Sequence, residues 1–365
     1  MRILICSTLF PGMAGIPKYA AGISKEFLKL GHSVAILCER EENKKQFEKI
    51  GKIDVFRHNI TEDIKRNLEL IEERARNIKG DFDLIIVLWY KYFRPIKNVF
   101  PSAKKVYIVP SVRKIDITVL NKHHPFLKRH YYHFINRFSI NLEKEAVFKS
   151  DKVIALGNQM NGQLKKSYGF YDAQIVNPGV DRTIFKFKKR KKENIFLIVA
   201  NLDPRKGIDR AINVANFLKN GKIKVLGGGK RMDLYQNKIN NLNVNDRIIL
   251  NGPTKDVWNE MIKSKALLMT SYSEGFPLIF PEALSSGLPI IAFQPDGKNV
   301  MNASDEVVVS GKNGFLVKTE KEMARKIDLL AKDSSLQRRM SENSLISSQK
   351  FSWKNVAEKI IKMSF

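Results

Sequence analysis

The sequence predicts an α/β protein of two domains, each built on a doubly wound parallel sheet, and three observations carry that expectation. The order strand, turn-rich loop, amphipathic helix, strand opens the chain over residues 2–38 and starts again at residue 195, which is the signature of successive βαβ units. The chain has 365 residues, 43% of them hydrophobic, enough for two cores of ordinary size. Short apolar runs such as residues 266–270 read as buried strands.

In the first half, residues 2–9 form the opening strand, and the turn-rich Phe10-Pro11-Gly12-Met13-Ala14-Gly15 follows. A helix then carries Tyr19, Ile23, Phe27 and Leu30 on one face, and residues 34–38 begin a second strand. Residues 61–79 are charged and helical, 83–89 a buried strand, and 105–109 the next strand, leading into Pro110-Ser111-Val112-Arg113. Asp81 and Asp83 could together coordinate a divalent cation. The simpler reading makes them ordinary polar residues at a strand entrance.

Residues 122–148 are basic and aromatic and hold four of the six histidines, His123, His124, His130 and His133. No acid or cysteine joins the His130 and His133 pair, which argues against metal ligation. Leu127, Tyr131, Phe134, Phe138 and Leu142 fall at helical spacing, with Lys128, Arg129, Asn136 and Arg137 off the stripe. Two readings stay open: a domain helix burying this stripe, or a basic amphipathic helix lying on a membrane surface. Residues 151–156 open a further strand before a polar helix. The turn Asn177-Pro178-Gly179-Val180-Asp181 and the basic run 186–192, read as a solvated edge, separate the halves.

In the second half, residues 195–200 are a strand, 201–206 a loop, and a helix from Gly207 presents Ile208, Ala211, Ala215 and Leu218 on one side. Strand 224–226 exits through Gly227-Gly228-Gly229, and strand 247–250 leads to Asn251-Gly252-Pro253. The most informative stretch is 271–289, SYSEGFPLIFPEALSSGLP. It joins a buried strand to a helix through the tight loop Gly275-Phe276-Pro277, with Pro281 expected as the first helical residue. Glu274 and Glu282 flank that loop. A carboxylate in a first helical turn either complements the helix dipole or accepts paired hydrogen bonds from the vicinal hydroxyls of a ribose.

Composition bounds the function. Lys and Arg total 64 against 37 Asp and Glu, a formal charge of +27. So large an excess implies an acidic partner: nucleic acid, anionic lipid or a phosphate-bearing substrate. No recognisable nucleic-acid-binding module is present, so nucleic acid is not expected. Cys6 and Cys38 each sit inside an apolar run and read as buried strand residues in a reducing compartment. The opening apolar run stops at Pro11-Gly12 without a cleavage pattern, and no run is long enough to span a bilayer.

With these residues in view, the stretch 271–289 resembles the signature of retaining glycosyltransferases of the GT-B fold, family 4 (glycosyl transferases group 1). There, two glutamates flank a Gly-Phe-Pro-type loop that leads into a helix ending in Ser-Gly-x-Pro. The run Asn177-Pro178-Gly179-Val180-Asp181 resembles the interdomain connection of that family, and the stretch from Phe351-Ser352-Trp353 its terminal helix.

The resemblance implies two Rossmann-like domains facing across a cleft: an acceptor-binding domain at 1–178, a nucleotide-sugar domain at 179–350, and a helix at 351–365 crossing back. It implies transfer of a hexose from a nucleotide diphosphate sugar, expected to be a UDP-sugar, to a hydroxyl acceptor. It assigns Glu274 to the donor sugar, Glu282 to the ribose and Lys206 to the diphosphate, with Gly275, Phe276, Pro277 and Leu278 forming the donor loop. Gly15 and Gly228 line the donor in such enzymes. Asn201 stands where the family usually has an arginine, and Arg205 is the nearest substitute. Ser111 stands where many members carry an acceptor-side histidine. No metal or other cofactor is expected.

The resemblance and the charge together point to a lipid-linked saccharide acceptor in surface polysaccharide assembly, with the enzyme cytoplasmic and held on the anionic inner face of the cell membrane. The alternatives are a non-catalytic basic binding protein on the same fold, or a nucleotide-sugar hydrolase or epimerase.

Overall fold

The computed structural model describes residues 1–12, 15–122 and 136–365. The chain divides into two compact units, Met1–Gly179 together with Ser352–Phe365, and Val180–Phe351.

The first unit is built on an eight-stranded sheet in the order β3-β4-β2-β1-β5-β6-β7-β8. Its strands are β1 (Arg2–Cys6), β2 (Ser33–Glu39), β3 (Phe47–Ile50), β4 (Ile53–His58), β5 (Leu84–Val87), β6 (Lys104–Val109), β7 (Lys152–Ala155) and β8 (Gln174–Ile175). All pairs are parallel except β3 with β4. Among the middle strands β5 is apolar throughout, Leu84 to Val87 all being fully buried, as expected of a parallel strand covered on both faces. Cys6 and Cys38 are buried and free, as their apolar surroundings predict.

Several expectations need correction. The first strand ends at Cys6 rather than residue 9, and Leu30 is exposed just beyond the helix Gly15–Lys29, whose Tyr19, Ile23 and Phe27 are buried. The β3–β4 hairpin, turning at Gly51 with φ +59°, was not expected. Asp83 takes the simpler of its two roles, a polar residue at a strand entrance whose Oδ2 accepts the Arg2 N–H at 2.7 Å. Of the stripe at 127–142, Leu127, Tyr131 and Phe134 lie outside the described residues, as do Lys128, Arg129 and the four histidines at 123, 124, 130 and 133. Leu142 is buried in the core of this unit, and Phe138 packs against the same core. For those two positions, on the helix Arg137–Lys149, burial in the domain is the correct reading.

The helix Trp353–Ser364 belongs to the first unit although 172 residues of the second precede it. Its Ser352 cap accepts the Asn355 N–H. The Trp353 ring lies so close to Gly22 that a Cβ there would come within 2.3 Å of it, and it meets Tyr19 edge-on at 4.9 Å. Only glycine lets the two helices approach this closely.

The second unit carries a six-stranded, all-parallel sheet in the order β11-β10-β9-β12-β13-β14. These are β9 (Ile195–Val199), β10 (Lys222–Leu226), β11 (Ile248–Gly252), β12 (Ala266–Met269), β13 (Ile290–Phe293) and β14 (Gly314–Val317). The helix Ile208–Phe217 buries Ile208, Ala211 and Ala215 on the face the periodicity predicts. No helix among the described residues is long and apolar enough to cross a membrane.

Candidate functional site

The chain leaves β9 in one direction to form β10 and later returns on the other side of β9 as β12. Connections at the carboxyl ends of β9 and β12 therefore diverge, and in an open α/β sheet such a switch point is where ligands bind. Lys206 follows β9 and Glu274 follows β12, and the two meet there: the Lys206 ammonium donates to Glu274 Oε1 in an ion pair. Their side chains remain 24% and 18% exposed.

Local chemistry fixes both partners. After β9, Asp203 caps the short 3₁₀ turn Pro204–Lys206, its Oδ1 accepting the Arg205 N–H at 2.9 Å. Gly207 then takes φ +63°, and a Cβ there would lie 2.1 Å from the Thr270 carbonyl oxygen. The Thr270 hydroxyl returns a hydrogen bond to the Lys206 carbonyl at 2.9 Å, and the Tyr272 N–H donates to the Arg205 carbonyl at 2.7 Å. The lysine loop is thus bound directly to the exit of β12.

Glu274 is held from the other side. Its N–H donates to the Met301 carbonyl at 3.0 Å, the Met301 N–H donates to the Tyr272 carbonyl at 2.8 Å, and Ser271 Oγ donates to Glu274 Oε1 at 3.0 Å. Asn302 Nδ2 holds the Ser271 carbonyl at 3.1 Å. Thr270, Ser271, Met301 and Asn302 are supports the sequence did not disclose. The two polar residues sit at the end of a buried strand, but Met301 lies about thirty positions further on, and nothing local links it to Glu274.

The other expected residues are distributed as follows. Asn201 is exposed in the loop after β9, and Gly228 is adjoined to it, the Leu202 N–H donating to the Gly228 carbonyl at 3.0 Å. Arg205 folds back, its Nε donating to Asp203 Oδ1 at 3.1 Å. Burial raises the Asp203 pKa, but the Arg205 hydrogen bonds and charge outweigh it and leave that pKa lowered. Phe276 is buried, its ring packed against Phe280 and Phe351, so the ring is a core group and only the backbone of Gly275, Phe276 and Pro277 remains a loop. The next helix is Ile279–Ser285, capped at Leu278. Pro281 is therefore its third residue rather than its first, because the helix bends into register two residues earlier. Glu282 still lies in the first turn and is buried, 5% exposed. Gly15, exposed at the start of its helix, and Ser111, half-buried after β6, belong to the first unit.

The basic run is also not wholly solvated. Lys186 and residues 188–191 are exposed, but burial lowers the Lys192 pKa to about 8, and its ammonium has no hydrogen-bond partner among the described residues. No group of three or more His, Cys, Asp or Glu among the described residues is placed to hold a metal ion.

An ammonium carries three N–H donors, so pairing with Glu274 leaves Lys206 capacity for an anion. Two family profiles match the chain: glycosyl transferases group 1 over residues 180–345 and glycosyltransferase family 4 over residues 13–183. An uncharacterized glycosyltransferase of Haemophilus influenzae is 25% identical over 356 residues, covering 94% of each chain. The N,N'-diacetylbacillosaminyl-diphospho-undecaprenol alpha-1,3-N-acetylgalactosaminyltransferase of Campylobacter jejuni is 23% identical, over 81% of this chain and 77% of that protein. Among solved structures, sucrose-phosphate synthase from Thermosynechococcus elongatus superposes with a TM-score of 0.84 at 17% identity, covering 99% and 98% of the two chains. The Anabaena protein HepE, solved with UDP-glucose, gives 0.76 at 17% identity over 99% and 98%.

Proposed function

Because this chain belongs to the family 4, group 1 glycosyltransferases of the GT-B fold, and is thus a transferase enzyme, we propose that it moves a hexose from a UDP-sugar to a hydroxyl of a lipid-linked saccharide, with retention at the anomeric carbon. One observation carries the reading: Lys206 and Glu274 are brought together at the switch point of the second sheet. In this reading Lys206 meets the donor diphosphate and stabilises the negative charge that builds on it as the sugar departs. Glu274 aligns the ammonium beforehand and then faces the sugar. Glu282 accepts the ribose hydroxyls, and the backbone of Gly275, Phe276 and Pro277 closes on the donor. The Ser111 segment lies toward the acceptor. No metal is needed, since the lysine supplies the charge.

The UDP donor is supported by the UDP-glucose bound in HepE, and the lipid-linked acceptor by the diphospho-undecaprenol in the name of the Campylobacter relative. The +27 charge supports a peripheral position on an anionic membrane. A panel of nucleotide sugars is screened for thermal stabilisation, and the stabilising donor is then assayed for sugar transfer to a bacterial membrane lipid extract, with anomeric analysis of the product. Stabilisation by UDP-sugars and an α-linked lipid product is expected. Absence of stabilisation by any member, or free sugar as the sole product, would reject the reading.

A further inference from the structure

We propose that Glu143, on the helix Arg137–Lys149 of the first unit, is a positioning residue whose carboxylate holds the segment after β6 in place for the acceptor. The proposal rests on the reading above that residues 111–113 lie toward the acceptor. Glu143 is 1% exposed, and its carboxylate gathers three donors from three elements. The Arg113 N–H, at the start of the helix Arg113–Lys122, donates to Oε2 at 2.7 Å. The Tyr168 hydroxyl, at the end of the helix Asn158–Tyr168, donates to the same oxygen at 2.5 Å, and the Tyr107 hydroxyl of β6 donates to Oε1 at 3.3 Å. Arg113 is fixed a second time by its guanidinium, which donates to Asn136 Oδ1 at 2.7 Å.

A solvated acid would not be buried among tyrosines, and a purely structural side chain of this volume would be apolar. This carboxylate instead accepts the first free N–H of the helix that begins where Ser111 and Val112 end, so it fixes the direction in which the chain leaves β6.

The chemistry makes this hold sensitive to pH. Burial pushes the Glu143 carboxyl up to about 7, and Asp116 adds to the rise, while hydrogen bonds from Tyr168, Arg113 and Tyr107 oppose it. Tyr90 is the other titratable group within its field, and burial raises its pKa too. Ionised Glu143 accepts the Arg113 N–H as a charge-assisted bond, which is stronger than the bond to a neutral carboxyl. Global stability runs the other way. A carboxyl raised from 4.5 to about 7 makes the folded chain progressively less stable as pH climbs through that window, because the folded state there binds the extra proton. Local protection and melting temperature therefore respond to pH in opposite senses, a pairing that a merely buried acid does not produce.

The test is hydrogen exchange of the full chain, read at the Arg113 amide and corrected for intrinsic base catalysis, between pH 6 and pH 8. The wild type is expected to gain roughly tenfold protection across neutrality, the ratio expected between a charge-assisted and a neutral bond. Glu143→Gln should lose that step, and Glu143→Asp should keep it in weakened form. In parallel, the amount of membrane lipid extract needed for half-maximal transfer should fall with pH in the wild type and stay flat in Glu143→Gln. A wild-type protection profile flat with pH overturns the proposal even if the Gln variant does not fold, and so does a step that survives in Glu143→Gln. A lost step with an unchanged lipid requirement overturns the acceptor role of the segment. Failure of every nucleotide sugar to stabilise the wild-type chain would overturn the functional reading instead, so the two failures are separable.

Discussion

At the scale of single residues, the site is an ion pair whose two members were readable as polar residues following buried strands, but whose pairing was not. Lys206 and Glu274 are 68 positions apart, and they meet because β9 and β12 are neighbours in the sheet. Arg205 illustrates the converse. It seemed available as a second cation, yet Asp203 two residues earlier draws its guanidinium back over the turn. With Arg205 drawn back, the proposed diphosphate role falls to Lys206, and on that reading Lys206→Ala should lower kcat by about a hundredfold, roughly 3 kcal/mol of leaving-group stabilisation. Its effect on melting should be small, because a partly exposed pair contributes little to folding. Activity within a few-fold of wild type would move the diphosphate role to another group. Glu282→Ala tests the ribose assignment separately. It should raise the donor KM and cut kcat/KM at least about tenfold, since each hydrogen bond to a charged group is worth about 1.5–3 kcal/mol. Unchanged donor kinetics in a folded variant would remove Glu282 from the donor site.

At the scale of elements, most of the fold was legible because parallel strands buried on both faces are nearly pure apolar runs and the covering helices keep their period. The exceptions have physical causes. The β3–β4 hairpin escaped notice because β4 reads Ile-Asp-Val-Phe-Arg-His, and Arg57 is buried where alternation calls for an apolar side chain. Arg57 is tolerated there because Glu48 Oε1 and the Phe10 carbonyl accept from its guanidinium, partners that appear only once the sheet is assembled. The helix of residues 279–285 begins two residues early because Pro277 and Leu278 already supply its first turn, the Phe280 N–H donating to the Pro277 carbonyl at 3.0 Å. The tightest element in the site is the 3₁₀ turn ending at Gly207. Gly207→Ala must place a methyl against the Thr270 carbonyl in a left-handed conformation, so the turn will shift, costing more than about 1 kcal/mol and displacing Lys206. The expected outcome is a lower melting temperature together with a loss of kcat. A variant that melts lower but turns over normally would show that the lysine tolerates the shift.

At the scale of the whole molecule, the excess of 27 positive charges is the property the fold leaves unexplained. The proposed site at the switch point draws on one lysine of it, Lys206. Leu142 is buried in the core of the first unit and the half-buried Phe138 packs against it, so on the proposed membrane reading these two add little apolar anchoring and the attraction is expected to be chiefly electrostatic. Each Lys or Arg near an anionic surface contributes about 1 kcal/mol, and the screening length at physiological ionic strength is about 8 Å. The chain should therefore sediment with anionic vesicles at low salt, release at high salt, and ignore neutral vesicles. Lys128→Glu with Arg129→Glu should weaken the binding, because the pair changes the local charge by four units within a segment already rich in Lys and Arg. Equal sedimentation with neutral and anionic lipid would show that apolar insertion dominates. No loss in the double variant would shift the contact to other basic residues, of which the exposed run at 188–191 is the densest. A tight, salt-sensitive complex with RNA or DNA and none with lipid would mean that the charge serves nucleic acid, contrary to the membrane assignment.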